Sequence, residues 1–399
     1  MSEKNDNKVP NVPNLRFSSS ILDWELKPIT TLIEECSETT SNFEKYPLYS
    51  FTIEDGVVPK SERYERSFLV KKDGDSFKVV KYNNFVMNPM NLRFGAISYS
   101  KVKNDVSVSG YYNIFNIDNA QCNDYWEALF RRTKTLQLYD SVATGSLLEK
   151  KRVHFSQFRS LKFYIPEYNE RIKISLFFSK INERIDTQSK IIEDLILEKN
   201  ITSDKIFSQT PICKNSLSSF YKKGKAGGTP KSTNKSYYGG DIPFLSISDM
   251  TEQGKYLYST QKTLTKEGLE NSTAWVVPKD SLILSMYASV GQVAINKIPL
   301  ATSQAMFSMT IIDKNDLVFL YYFLSYFREN KLHKYLETGT QSNINADFVK
   351  SIEIPDYGAV KNEQIVTLLS LLDERIQKEK DILSLYKKQK AYLLNNMFI

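Results

Sequence analysis

Residues 181–185 read INERI, and residues 372–376 read LDERI. The likeness continues along both segments at a constant offset of 191 residues. Apolar side chains recur at alternating steps of four and three residues, which is the heptad spacing of helices that pack together. Six of seven paired positions are apolar in both copies and one is polar in both: Ile174/Ile365, Phe178/Leu369, Ile181/Leu372, Ile185/Ile376, Gln188/Glu379, Ile192/Leu383 and Leu195/Tyr386. The spacing predicts two duplicated long helices, which we expect to pair as an antiparallel coiled coil.

The segments that precede the two helices are also alike. FRSLKFYIPEYNE (158–170) precedes the first helix, and FVKSIEIPDYGAV (348–360) precedes the second. Each ends a short alternating run with Ile-Pro and an acid, a pattern typical of a strand that gives way to a helix. Further upstream, FVMNPMNLRFGAI (85–97) matches LILSMYASVGQVAI (282–295), with an apolar run, a polar bend and a second strand. The chain therefore repeats the order of lobe and long helix.

Both lobes are rich in Tyr, Phe, Val, Ile and Thr between turn residues, which predicts mixed α/β units dominated by strands. We predict an α+β fold in which two mixed α/β domains are separated by two long helices, as a pseudo-twofold internal repeat. The predicted segments are 1–166 for the first domain, 167–205 for the central helix, 206–355 for the second domain and 356–399 for the distal helix.

Composition limits the class of protein. The 399 residues carry a net charge of +7 and include 3 Cys and 2 His. No run of about 18 apolar residues is present, so no membrane span is predicted. The start, MSEKNDNKVP, lacks the apolar core of a signal peptide, and we expect a cytoplasmic protein. The separated cysteines argue against a disulfide framework or a zinc site, and no metal ligands are predicted. The excess positive charge lies in the two lobes, which suits a polyanion held at two places.

Motifs for catalysis are incomplete. NPM (88–90) is the nearest match to the Asn/Asp-Pro-Pro-aromatic motif of an adenine methyltransferase, but it lacks the second proline and the aromatic residue. GGTPKST (227–233) has Pro230 where a P-loop requires glycine. With two histidines, no His-based triad is compelling. We therefore predict no catalytic residues and a chain that is not itself an enzyme.

Two stretches carry a family resemblance. The second lobe opens with GGTPKSTNKSYYGGDIPFLSISDM (227–250), and the first begins near VPNLRFSSSILDWELKPI (12–29). Together with the repeated helices, these resemble the DNA-specificity (S) subunits of type I restriction–modification enzymes over essentially the whole chain. The first lobe departs from the commoner pattern because it has no GGTP-like opening.

The resemblance implies a division of labour. Each lobe would be a target-recognition domain that reads one half of a split double-stranded DNA sequence, and the helices would dock two methyltransferase (modification) subunits. Restriction subunits would then join to give an ATP-dependent nuclease for phage defence. The resemblance also implies that this chain binds no cofactor, that S-adenosylmethionine, ATP and magnesium belong to the partner subunits, and that no membrane is involved.

Candidate DNA-binding residues are basic, amide, hydroxyl and tyrosine side chains on predicted loops, the types that contact base edges and phosphates. In the first lobe they are Arg63, Arg66, Asn91, Arg93 and the basic run Lys150, Lys151, Arg152. In the second lobe they are Lys231, Ser232, Asn234, Lys235, Tyr237, Tyr238, Tyr287, Gln304, Gln341 and Asn343.

The apolar face of each long helix is wider than a two-stranded seam needs, which predicts a surface for partner helices. The candidate subunit-interface residues are Phe177, Ile181, Ile185, Ile191, Leu368, Leu372, Ile376 and Ile382. Two other classes of function stay open at this point. One is a self-contained DNA methyltransferase or nuclease component, and the other is a coiled-coil scaffold that binds two proteins and no DNA.

Overall fold

A computed structural model describes residues 11–18, 22–60, 77–146, 151–336 and 343–399. The chain forms two compact units. Unit 1 comprises Met1–Lys190 with Asp381–Ile399, and unit 2 comprises Ile191–Lys380. Each unit therefore contains one lobe together with part of both long helices.

Unit 1 is built on a mixed set of short strands and helices. Its strands in the described ranges are β1 (Glu25–Pro28), β2 (Ile33–Glu35), β3 (Thr39–Thr40), β4 (Tyr49–Thr52), β5 (Gly56–Pro59), β6 (Phe77–Val80), β7 (Phe85–Met87), β8 (Ile97–Tyr99), β9 (Val106–Ser109), β10 (Asn113–Ile117) and β11 (Lys162–Ile165). Its helices are α1 (Asn123–Arg131), α2 (Thr133–Val142), α3 (Phe155–Ser160) and the start of the long helix α4 (Tyr168–Phe207). The main sheet has the order β2-β10-β7-β8, and β1 pairs with β11.

Unit 2 repeats this plan with additions. Its strands are β12 (Cys213–Ser216), β13 (Tyr221–Ala226), β14 (Tyr238–Leu245), β15 (Tyr256–Leu257), β16 (Lys262–Leu264), β17 (Val276–Val277), β18 (Leu282–Ser285), β19 (Val293–Asn296), β20 (Leu300–Thr302), β21 (Met306–Ile311) and β22 (Glu353–Asp356). Its helices are α5 (Ile247–Gln253), α6 (Lys266–Glu270), α7 (Lys314–Asn330), α8 (His333–Leu336), α9 (Ala346–Ser351) and the start of α10 (Ala359–Asn396). The sheet order is β13-β21-β18-β19-β15, and β12 pairs with β22.

The internal topologies of the units correspond strand by strand. The order β2-β10-β7-β8 in unit 1 matches β13-β21-β18-β19 in unit 2, and every pair within these orders is antiparallel. One backbone hydrogen bond shows the same correspondence outside the sheets. Ile29 N donates to Leu161 O at 3.2 Å, and Leu217 N donates to Ile352 O at 2.8 Å. The predicted α+β fold is confirmed, and the repeat extends through the lobes.

The long helices bury the seam that the sequence predicts. In α4, six of the seven seam positions are buried and Ile185 is half-buried, whereas in α10 all seven are buried or half-buried. Residues between seam positions are mostly exposed. Burial of a branched or aromatic side chain contributes about 1.5–3 kcal/mol, so this face holds the helices to the rest of the protein.

The helices run antiparallel within each unit. In unit 1, the Phe178 and Phe398 rings lie 5.8 Å apart, while Gln188 and Tyr386 line the same cavity. In unit 2, Lys199 Nζ lies 2.6 Å from Asp373 Oδ1. There the Lys361 ammonium donates to Gln209 Oε1 at 2.7 Å. No helix in the described part of the chain is long and apolar enough to cross a membrane.

Candidate nucleic-acid interface

In each unit one hairpin turn presents a large side chain to solvent. The turn between β7 and β8 closes with Gly95 at φ 91°, and the turn between β18 and β19 closes with Gly291 at φ 77°. Glycine suits both positions because a side chain rarely adopts positive φ. Met90 is 38% exposed in the first turn and Tyr287 is 41% exposed at the matching place in the second.

A second segment meets the hairpin turn in each unit through an equivalent hydrogen bond. Val153 N donates to Pro89 O at 3.0 Å in unit 1, and Ile344 N donates to Met286 O at 3.1 Å in unit 2. These residues immediately precede the matching helices α3 and α9. The contacts bring Lys151 and Arg152 to the first turn and Asn343 to the second. Residues far apart in sequence thus converge at the same place in both units.

The Arg93 side chain is mostly buried and forms an ion pair within unit 1. Its guanidinium lies 2.6 Å from Asp140 Oδ1 on α2, and its side chain is 10% exposed. The Arg93 hydrogen bond is the main cause that lowers the pKa of the Asp140 carboxyl, with Lys151 adding to the effect. Arg93 therefore anchors the turn to α2, whereas Asn91 and Arg152 are exposed.

In unit 2 a third segment, the GGTP stretch, joins the cluster. Gly227 N donates to Met306 O at 3.1 Å, and Gly228 N donates to Thr302 O at 2.9 Å. A Cβ atom on Gly227 would lie 1.9 Å from the Thr302 carbonyl oxygen, so only glycine permits this approach. Thr229 Oγ1 then donates to Gln304 Oε1. The paired glycines thereby fix the next residues beside the β20–β21 turn.

The remaining candidates of the GGTP stretch divide into two groups. Asn234 Oδ1 accepts from Ser236 N at 3.1 Å, and Tyr238 OH donates to Pro230 O at 2.8 Å, so both shape the loop. Tyr237 is half-buried. By contrast, Lys231, Ser232 and Lys235 are exposed and available to a ligand.

Four predicted residues, Arg63, Arg66, Lys150 and Gln341, lie outside the described residues. The sequence interpretation also missed a basic strand beside the cluster, since β13 exposes Lys222, Lys223 and Lys225. A signal was present: residues 29–33 (ITTLI) resemble residues 217–221 (LSSFY) at an offset of 188, which aligns β1 and the start of β2 with β12 and the start of β13.

The predicted interface residues on the long helices are not equally accessible. Ile181 and Ile376 are buried in the protein itself, so neither offers a free surface. Phe177 is half-buried, and its ring lies 5.9 Å from that of Phe17. Ile185 and Leu372 are also half-buried. The exposed members are Ile191, Leu368 and Ile382.

Each of the INERI and LDERI motifs contains one polar residue that hydrogen-bonds from its long helix to a helix of the adjoining lobe. In unit 1, Asn182 Nδ2 donates to Asp124 Oδ1 on α1 at 3.1 Å. In unit 2, Tyr322 OH on α7 donates to Asp373 Oδ2 at 2.7 Å. Asp373 is the residue 191 positions after Asn182, so the repeated position links a long helix to a lobe in both units.

Charged groups surround these two links. Burial raises the pKa of the Glu127 carboxyl in unit 1 and lowers the pKa of the Lys390 ammonium, and each opposes the other's shift. In unit 2, burial lowers the pKa of Lys255, which Asp373 partly offsets. Among the residues that the structure describes, no group of three or more His, Cys, Asp or Glu could hold a metal ion.

Comparison with known proteins relates less than half of the chain to one family. Residues 214–385 match the family model described as the type I restriction modification DNA specificity domain. The chain is 30% identical over 181 residues to the type I restriction enzyme MjaIX specificity subunit of Methanocaldococcus jannaschii. This match covers 43% of this chain and 40% of that protein. It is 32% identical over 133 residues to the HindI specificity subunit of Haemophilus influenzae, covering 32% and 28%. The matched stretches therefore span less than half of either relative.

Solved structures extend the likeness in fold to nearly the whole chain. A type I restriction–modification S subunit from M. genitalium has a TM-score of 0.58 at 15% identity and covers 97% of this chain and 99% of its own. A chain from a study of complex assembly and conformational transition in the type I system has a TM-score of 0.56 at 13% identity, covering 94% and 97%. The resemblance stated from sequence is thus confirmed: residues 214–385 match the type I restriction modification DNA specificity domain, and the fold of nearly the whole chain resembles that of type I S subunits.

Proposed function

We propose that the protein reads a two-part DNA sequence, one half with the hairpin cluster of unit 1 and the other half with that of unit 2. The observation that carries this proposal is the duplicated convergence of the two segments, through Val153–Pro89 in one unit and Ile344–Met286 in the other. A site that is built twice from the same elements suits a target with two halves.

The exposed side chains at the two clusters match the chemistry of DNA contacts. In unit 2, Lys231 and Lys235 are suited to phosphates, while Ser232, Gln304 and Asn343 can exchange hydrogen bonds with base edges. In unit 1, Asn91 and Arg152 are likewise exposed. The ordered backbone beneath them limits the entropy lost on binding.

The long helices supply the proposed docking surface for two modification subunits, with restriction subunits joining that assembly. Ile191 and Ile382 occupy the same repeat position and are both exposed, and Leu368 adds to the surface on α10. Exposed apolar side chains on a helix favour a partner that covers them. In this proposal S-adenosylmethionine, ATP and magnesium are bound by the partner subunits, and this chain contributes recognition alone.

The test is the methylated motif in the genome of cells that express the chain with its modification subunit. Replacing residues 286–292 with the corresponding turn of a relative should change one half of the motif and leave the other half and the gap unchanged. A change in both halves would contradict one reader per unit. Methylation without a split motif would overturn two-part reading itself.

A further inference from the structure

Strand β13 carries a basic surface at the edge of the unit 2 sheet. It ends the sheet order beside β21, so its outer side has no strand partner in the described part of unit 2. Lys222, Lys223 and Lys225 are all exposed. The strand leads directly into Gly227 and Gly228, whose hydrogen bonds place the GGTP stretch in the unit 2 cluster. The lysines are thus continuous with the proposed recognition surface.

Two of these lysines lie on one face of the strand. Lys223 and Lys225 pair in regular register with Thr310 and Ser308, so their side chains point the same way. Lys223 Nζ lies 4.1 Å from the centre of the Trp275 ring, and Lys225 Nζ lies 3.5 Å from Thr273 O. The same short segment supports both side chains and limits their freedom.

The charge on this face is not neutralised within the described part of the protein. Across the described ranges, no carboxylate forms an ion pair with Lys222, Lys223 or Lys225. Residues two apart on a strand are separated by about 6.7 Å, a span covered by about two base-pair steps of 3.4 Å. A DNA strand can therefore present phosphates to Lys223 and Lys225 together.

The matching strand of unit 1 has the opposite charge. In the pairing register, exposed Glu34 of β2 lies opposite Asn116 as Lys223 lies opposite Thr310, and the bulge in β13 leaves Lys222 without a counterpart. Strand β2 holds the same edge position beside β10. The two units thus share the strand but carry opposite charges at the Glu34/Lys223 position, so a general need for a solvated edge does not explain the lysines.

We propose that β13 binds DNA phosphates through Lys223 and Lys225, with Lys222 beside them, and that unit 1 makes no such contact through β2. This inference rests on the proposed DNA recognition and assigns its electrostatic part unequally to the two units. Phosphate contacts position a protein without reading sequence, so β13 contributes affinity that is independent of the bases.

The test uses the full chain assembled with its modification subunits and DNA that contains the methylated motif. The dissociation constant is measured between about 50 and 300 mM KCl. Each lost phosphate contact lowers the salt slope by about 0.9, so K223Q/K225Q should lower it by about 1.8. The preference for the motif over a mismatched sequence should stay unchanged, and K223R/K225R should keep the original slope.

The control is K279Q/K314Q. It removes the same charge just before β18 and just after β21, at the end of the sheet away from the hairpin turn, and should leave the slope unchanged. An original slope in K223Q/K225Q would overturn the β13 assignment, and an altered motif would show base reading instead of phosphate binding. If the unmodified complex shows no salt-sensitive binding of DNA, the proposed function fails as well, so the two failures are distinguishable.

Discussion

Units 1 and 2 have the same sheet order and the same backbone contacts, yet they differ in charge at equivalent positions. Glu34 of β2 corresponds to Lys223 of β13 in the pairing register. On the long helices, buried Glu170 corresponds to exposed Lys361. The seam positions, in contrast, are apolar in both copies at six of seven places.

The difference separates what builds the repeat from what varies within it. Apolar positions set strand order and helix pairing, because a change there costs about 2–5 kcal/mol when a large side chain is lost. Exposed polar positions usually change stability by less than about 0.5 kcal/mol. They are therefore free to give each unit its own ligand contacts, which a protein with two different half-sites requires.

The largest difference in stability should come from the buried ion pair of unit 1. Arg16 Nη2 lies 2.8 Å from Glu170 Oε2, with the side chains 14% and 1% exposed. Arg16→Ala would leave a buried carboxylate without its partner, at a cost of about 3–5 kcal/mol. Lys361 is the helix residue equivalent to Glu170, and Lys361→Ala removes an exposed charge there, which should cost less than about 0.5 kcal/mol.

Urea unfolding measures both variants, and hydrogen exchange should place the loss from Arg16→Ala in unit 1. Equal stability of the two variants would show that the charge at this helix position has no structural consequence, and the comparison between the units would fail there.

The link formed by the INERI and LDERI position should be stronger in unit 2. Asp373 accepts a hydrogen bond from Tyr322 OH at 2.7 Å and lies 2.6 Å from Lys199 Nζ, whereas Asn182 donates one hydrogen bond to Asp124. Asp373→Ala should cost about 2 kcal/mol and Asn182→Ala about 1 kcal/mol, allowing for partial exposure of these groups. Thermal unfolding gives the order, and the reverse order would refute the stronger link.

Substitutions in the two hairpin turns should each weaken binding to a different half-site. Tyr287→Ala should weaken DNA binding by about 1–2 kcal/mol through one half of the motif, and Met90→Ala should act through the other half. The measurement is affinity for DNA with substitutions in either half-site. Tyr258→Ala, another exposed tyrosine of unit 2, is the control and should have no effect. Loss through the same half in both variants would contradict the modular arrangement.

The sequence was sufficient for the long helices because a heptad seam is periodic and its burial repeats in both copies. It was also sufficient for the matching hairpins, since a glycine and two apolar runs mark each turn. It was insufficient for Arg93, whose ion pair with Asp140 depends on α2 lying beside the turn. It also missed β13, because a difference in lobe length shifts the offset from 191 to 188 at the start of this strand, and a bulge and the opposite charges then conceal the match.

Lysines on β2 would give the edge of unit 1 the positive charge that β13 has in unit 2. Since β2 and β13 hold the same edge position and Glu34 lies at the register position of Lys223, E34K/E35K should allow unit 1 to bind a phosphate that it does not bind with its glutamates. The salt slope of DNA binding should become steeper by about 0.9 for each additional phosphate that is bound. Stability should change little because both side chains are exposed.

E25K/E167K adds the same charge near the junction with α4 and serves as the control. A steeper slope for E34K/E35K alone would mean that both edges face DNA and that only their charge differs. An unchanged slope in both variants would mean that the edge of unit 1 does not reach the duplex, so that the units differ in how they approach their half-sites as well as in charge.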